Sequence, residues 1–284
     1  MRGAWPRRDK GGRMGDFDDL NTRGLVLVGC GRMGGAMLRG WLARGLEPGA
    51  VTVIDPHLAP EWLDKGLRVN AGLPADPAVL VLAVKPQMMA QALGGVPRLS
   101  DTLVLSVAAG TTIATFEAAF PGAPIVRVMP NTPAAIGQGI SAMIGNGLAT
   151  PAHLDLAQTL MGAVGRVVRL DHEDQMDAVT GLSGSGPAYV FHLIEAMAKA
   201  GEAQGLPAAL SLELARMTVA GAGALAVDAD EDPAVLRENV TSPGGTTAAG
   251  LRVLMDPDTG LPPLMARTIA AATERGRELG RAAQ

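Results

Sequence analysis

Gly29, Gly31 and Gly34 stand in the pattern G-x-G-x-x-G, directly after the apolar run Leu25-Val26-Leu27-Val28 and ahead of a stretch with helical spacing. A continuous apolar run of this length reads as a buried parallel strand. In a strand–turn–helix setting each glycine has a task. Gly29 permits the tight turn, Gly31 lets a pyrophosphate approach the backbone with no Cβ in the way, and Gly34 lets the helix pack close to the sheet. The free N–H groups and the dipole of the helix start then favour the anion.

Four further groups belong to the same chemistry. A second apolar run, 51–54, ends in Asp55 at the spacing of an acid that bonds a ribose. Such a carboxylate accepts two ribose hydroxyls and repels a 2′-phosphate, and Pro56 and His57 supply no arginine to offset that, so NADH is expected over NADPH. The alternative is an aspartate that caps a turn before Pro56. Lys85 follows the run 79–84 and faces either a cofactor or solvent, since ligands of open α/β sheets lie beyond the carboxyl ends of strands. Ser106 to Gly110 leave room for a flat ring. Asn131 and Thr132, between Pro130 and Pro133, form a site wall or a plain turn.

A second kind of chemistry is written in Gly181 to Pro187 and in Thr241-Ser-Pro-Gly-Gly-Thr-Thr247. Each is a glycine- and hydroxyl-rich turn feeding a helix start. Free N–H groups beside hydroxyls make an anion site that suits a small carboxylate, or simply a capped helix.

The elements that must carry these groups follow from periodicity. Strand candidates at 25–28, 51–54, 79–84, 102–107 and 125–128 alternate with helical stretches, the signature of a doubly wound parallel sheet, and 139–144 and 166–170 would extend one edge. Beyond Asp171 only helical patterns remain, at 174–181, 187–203, 207–227, 233–239, 246–255 and 263–279, with Asp232 a candidate N-cap. The expected organisation is a flexible tail (1–22), a Rossmann-like dinucleotide domain (23–171) and an all-α dimerisation and substrate domain (172–284). The later helices are rich in alanine and glycine, as in residues 219–224, which leaves few bulky core side chains; an obligate dimer is expected.

Composition excludes several classes. A net charge of −4 shows no basic face for nucleic acid, and one cysteine, Cys30, rules out an intramolecular disulfide. No metal-ligand spacing appears; Asp228 to Asp232 read as a solvated acidic linker. The start lacks an apolar h-region, and no run approaches the ~18 apolar residues of a membrane span. A cytoplasmic protein with no membrane partner is expected. His57, His153, His172 and His192 lie outside the motif loops, His192 reading as a packed or capped core residue.

Gly29-Cys-Gly-Arg-Met-Gly34, Val84-Lys-Pro-Gln87, Met129-Pro-Asn-Thr-Pro133, Leu182-Ser-Gly-Ser-Gly-Pro-Ala-Tyr189 and Ser242-Pro-Gly-Gly-Thr-Thr247 occur in the order and approximate spacing of the pyrroline-5-carboxylate reductases, which the chain resembles from about Gly24 to Gly280. The resemblance implies reduction of 1-pyrroline-5-carboxylate to L-proline by NADPH or NADH, in a homodimer or a ring of dimers. It implies that Gly29, Gly31, Arg32, Met33 and Gly34 hold the pyrophosphate, Asp55 the adenosine ribose, and that Lys85 and Asn131 lie along the cofactor. Ser242, Gly244, Gly245, Thr246 and Thr247 would hold the substrate, with Thr247 the catalytic donor near the ring nitrogen. Many members carry an arginine after the second strand and use NADPH; Asp55-Pro56-His57 departs from that pattern.

Other readings fit less well. A β-hydroxyacid dehydrogenase would resemble the spacing of Gly181, Gly184 and Gly186, but Val190 and Ile194 stand where its lysine and asparagine belong. Reduction of a larger cyclic imine would need a similar loop. A non-catalytic nucleotide sensor would need the Gly29 turn but not the Ser242–Thr247 loop.

Overall fold

The computed structural model describes residues 17–94, 96 and 101–282. The chain divides into two compact units: a helical one, Gly186–Ala270, and a sheet-based one that takes in the described residues up to Ser185 and, from Ala271, the last turns of the C-terminal helix.

In the sheet unit, β1 (Leu25–Val28), β2 (Val51–Ile54), β3 (Arg68–Val69), β4 (Val79–Leu82), β5 (Leu103–Ser106), β6 (Ile125–Met129), β7 (Gly139–Gly145) and β8 (Gly165–Arg169) form one sheet in the order β3-β2-β1-β4-β5-β6-β7-β8. The first six strands are parallel; β7 runs antiparallel to β6, and β8 parallel to β7. The order reverses between β1 and β4. That switch point is where open α/β sheets bind ligands, beyond the carboxyl ends of the strands.

The apolar runs are continuous because both faces are covered. Leu25 and Leu27 enter one core with Met37, Trp41, Val53 and Leu160, while Val26 and Val28 enter the other with Leu80, Leu82 and Phe116. Helix α1 (Asp18–Arg23) precedes β1, and α2 (Arg32–Ala43) follows it. Trp41 anchors α2: its fully buried ring donates from Nε1 to the Leu160 carbonyl at 2.9 Å. Leu160 lies on α5 (Pro151–Gly162), capped by Thr150 in a box completed by His153. Helix α3 (Met89–Gly94) follows β4, and α4 (Ile113–Ala119) follows β5, its start capped by Thr112. Buried Arg127 on β6 meets Glu173 at 2.7 Å, and the same carboxylate oxygen accepts the Ile113 N–H at 2.9 Å. One acid thus ties the segment after β8 to the start of α4.

Several elements differ from expectation. Residues 18–23 are helical where composition suggests tail, because Phe17 and Leu20 are buried against the sheet unit; residues 1–16 of the expected tail lie outside the described residues. The edge strand β3 is only Arg68–Val69, too short and exposed to leave a pattern. After α6 (Gln175–Val179) the glycine-serine stretch is not an open turn but one π-helical turn, Thr180–Gly184. The hydroxyls of Thr180 and Ser183 donate back to the Met176 and Val179 carbonyls, which keeps the backbone helical through the glycines.

The helical unit holds α7 (Gly186–Ala203), α8 (Ala208–Asp228), α9 (Pro233–Asn239), α10 (Thr246–Leu254) and the start of α11 (Leu261–Ala282). Asp232 caps α9 through the Ala234 N–H at 2.8 Å. Helices α7 and α8 meet through small residues: Ala198, Ser211 and Ala215 are buried, and a Cβ on Gly201 would lie 2.9 Å from Ser211 Oγ. Most bulky side chains face outward, among them Phe191, Leu214, Met217, Leu225 and Val253. His192, read from sequence as packed, has a side chain 81% exposed and pairs with Glu195. Against the expectation that no stretch has the length and apolarity of a span, α8 does, although Glu213 and Arg216 interrupt it.

Candidate dinucleotide and carboxylate sites

The turn after β1 meets the requirements of its three glycines in three different ways. Gly29 has φ +89°, and a Cβ there would sit 2.8 Å from the Ala83 carbonyl oxygen. A Cβ on Gly34 would lie 2.1 Å from the carbonyl oxygen of Gly29, so α2 leaves the turn only with glycine at that position. Around Gly31 the space is open, with nothing within 4 Å of an added Cβ. The Gly29 N–H is spent on the Ile54 carbonyl at 2.9 Å. By contrast, no backbone carbonyl of the described residues accepts from Gly31, Arg32, Met33 or Gly34. A cradle with orphan donors and no Cβ fits a pyrophosphate.

Asp55 closes this cradle from β2. Its Oδ2 accepts the Cys30 N–H at 2.7 Å, inside the glycine turn, and its Oδ1 accepts the His57 N–H at 2.8 Å. The side chain therefore caps the turn before Pro56 and also touches the dinucleotide loop. Each oxygen keeps further acceptor capacity for a ribose hydroxyl. The neighbouring Cys30 thiol is buried, and burial, reinforced by the Asp55 charge, pushes its pKa up to about 11. The thiol is thus neutral at pH 7 and is no nucleophile. Iodoacetamide at pH 7.5 is expected to label the native protein far more slowly than the same protein in denaturant, with protection fading only above pH 10; rapid labelling of the native state by mass spectrometry would contradict this.

Lys85 lies just past β4 with an exposed side chain and no ion-pair partner among the described residues, on the β4 side of the switch point. Asn131, after β6, is engaged at both ends of its amide: Oδ1 accepts the Ile140 N–H at 3.0 Å and Nδ2 donates to the Ser183 carbonyl at 3.2 Å. It braces the loop against β7 and the π turn. Gly184 in that turn admits Met129, whose Cε would lie 2.6 Å from a Cβ there.

In the helical unit, Thr241 to Gly245 fold into a turn closed by the Gly245 N–H on the Ser242 carbonyl at 3.0 Å, with Gly244 at φ +71°. Gly245 is the N-cap of α10 and has no side chain to cap it. The first N–H groups of α10, on Thr246 and Thr247, are left open beside the exposed hydroxyls of Ser242, Thr246 and Thr247. Open N–H groups at a helix start suit an anion, and the hydroxyls lie next to them. Asn70 of the sheet unit holds the Asp55 peptide with its side chain; it carries no signal in the sequence, because the strand it follows is too short to leave a pattern.

Comparison with known proteins covers both units. Residues 173–279 match the family described as pyrroline-5-carboxylate reductase dimerisation, and residues 24–110 the one described as NADP oxidoreductase, coenzyme F420-dependent. The chain is 40% identical over 268 residues to the pyrroline-5-carboxylate reductase of Synechocystis sp., covering 90% of this chain and 98% of the relative. It is 38% identical over 271 residues to the Pseudomonas aeruginosa enzyme of the same name, covering 92% and 98%. A solved pyrroline-5-carboxylate reductase from Coxiella burnetii aligns with TM-score 0.83 at 33% identity, over 91% of this chain and 98% of that one. The Plasmodium falciparum pyrroline carboxylate reductase, solved with NADP bound, aligns with TM-score 0.79 at 28% identity, over 92% and 99%. With its glycine turn, switch point and hydroxyl-lined helix start all in place, the chain belongs to the pyrroline-5-carboxylate reductase family.

Proposed function

We infer that this chain reduces the C=N bond of 1-pyrroline-5-carboxylate to give L-proline, with NAD(P)H as reductant. The observation that carries the reading is family membership across nearly the whole chain, joined to a dinucleotide cradle whose Gly31 side is open. When bound, the reduced nicotinamide supplies the hydride. Gly31, Arg32, Met33 and Gly34 bind the pyrophosphate through backbone N–H groups, and Asp55 takes the adenosine ribose. Lys85 and Asn131 line the cofactor's path, Asn131 by bracing its loop. Ser242, Gly244, Gly245 and Thr246 bind the substrate carboxylate at the start of α10. The Thr247 hydroxyl hydrogen-bonds the ring nitrogen. A protonated cyclic imine is already electrophilic, so positioning does most of the work and no strong acid–base pair is required.

The carboxylate of Asp55 favours a free 2′-hydroxyl over a 2′-phosphate, and NADH is the proposed preference. The outward apolar face of the helical unit is proposed to form a homodimer, with a ring of dimers as the larger assembly, in the cytoplasm and without nucleic-acid or membrane partners. Coverage by a second copy explains an apolar α8 that is largely exposed in one chain.

Thr247→Ala tests the substrate loop. It is expected to lower kcat/KM for 1-pyrroline-5-carboxylate about 10- to 100-fold, the worth of one hydrogen bond to a charged group, while leaving the Kd for NADH unchanged. Full activity in this variant would remove Thr247 from the site.

A further inference from the structure

Among the described residues, Asn70 is the one non-glycine residue with positive φ, at 48°. It sits where the edge strand β3 ends. Its N–H donates to the Val53 carbonyl at 2.8 Å, extending the ladder by one bond. Its side chain then grips the residue just beyond β2 through both peptide groups: Oδ1 accepts the Asp55 N–H and Nδ2 donates to the Asp55 carbonyl, each at 3.0 Å. An asparagine amide presents a donor and an acceptor side by side, so it reproduces a strand's paired hydrogen bonds where β3 has run out. Asparagine also tolerates the left-handed backbone better than other residues with a side chain.

The clamp acts on the residue that faces the dinucleotide loop. With its peptide fixed, Asp55 sends Oδ2 to the Cys30 N–H at 2.7 Å and Oδ1 to the His57 N–H at 2.8 Å. That leaves the remaining lone pairs of both oxygens in one orientation. Asn70 is itself exposed and packs no core, so its conformation is not explained by burial.

We propose that Asn70 is a positioning residue for cofactor choice: by holding the Asp55 peptide it aims the carboxylate at the 2′- and 3′-hydroxyls of NADH. The inference rests on the reading of Asp55 as the ribose acceptor. It assigns Asn70 no contact with the cofactor.

The test uses the full-length enzyme with 1-pyrroline-5-carboxylate saturating, comparing Asn70→Gly, Asp55→Ala and the double variant against both cofactors. Glycine keeps the left-handed backbone and removes only the clamp. Asn70→Gly is expected to raise the KM for NADH about 5- to 10-fold, as loss of one to two net hydrogen bonds would, with kcat within about twofold. The KM for NADPH should stay level or fall, because a loosened carboxylate repels the 2′-phosphate less. The double variant should match Asp55→Ala, since Asn70 acts through Asp55. Equal losses with both cofactors, or fully additive losses in the double variant, would mean a structural role and overturn the proposal. So would an unchanged Asn70→Gly beside an impaired Asp55→Ala, which leaves the ribose reading standing. An Asp55→Ala variant with unchanged KM for NADH would remove that reading itself. Should Asn70→Gly fail to fold, Asn70→Ser, which adds no charge and is too short to bridge both groups of the Asp55 peptide, carries the same cofactor comparison.

Discussion

Gly34→Ala is expected to weaken cofactor binding severely and destabilise the protein, whereas Gly31→Ala, three residues away, is expected to weaken binding alone. At Gly34 the new Cβ would lie 2.1 Å from the Gly29 carbonyl oxygen and 3.1 Å from its carbon. Neither is the end of a flexible side chain, so the turn itself must move, at a cost of about 2–3 kcal/mol. That displaces the N–H groups at the start of α2, and affinity for NADH should fall by more than about 100-fold. Gly31 has φ −71°, which alanine adopts without strain, and open space beyond its Cα. Its alanine variant should melt with the wild type, within the small range typical of surface changes. The methyl group would occupy the space proposed for the pyrophosphate and weaken NADH at least about 10-fold. Thermal melts with fluorescence titration of NADH separate the two effects. Wild-type affinity in Gly31→Ala would mean that the open cradle is not where the dinucleotide lies.

Met217→Asp is expected to convert the protein to monomers. Leu210, Leu214, Met217, Gly221 and Leu225 recur at helical spacing on α8, and the four apolar side chains of this stripe are exposed at 42, 49, 64 and 56%. A neighbouring face, about 100° round the helix, is already used, with Ser211 and Ala215 buried in the same unit. A stripe of this kind on a match to a dimerisation family calls for a second copy. In a two-fold interface the substitution appears twice, and each buried carboxylate lacks a partner, so the dimer should weaken by about 1,000-fold or more. Sedimentation velocity at micromolar concentration reads the result directly. A variant that stays dimeric would place the interface elsewhere on the helical unit.

The sheet was legible because a parallel strand buried on both faces must be apolar throughout. Leu25–Val28 and Val51–Ile54 are read to the residue, and the glycines after β1 identify the turn on steric grounds alone. Helix α9 is equally clear, since Asp232 and Pro233 mark its start. What escaped was structure set by distant partners. Helix α1 depends on burial of Phe17 and Leu20 in otherwise polar surroundings. The π turn depends on hydroxyls that bond backward along the helix, in a sequence whose glycines and serines read as a break. Asp55 meets partners far from it in sequence, the Cys30 N–H 25 residues before it and the Asn70 side chain 15 residues after. Spacing in a sequence locates a carboxylate; it does not show what already holds it.

The decisive measurement mixes the purified enzyme with 1-pyrroline-5-carboxylate and either NADH or NADPH, follows the nicotinamide absorbance and assays L-proline. One proline should form per reduced cofactor consumed, with a higher kcat/KM for NADH than for NADPH. Cofactor that binds without being oxidised, or oxidation without proline, would contradict the proposed reaction.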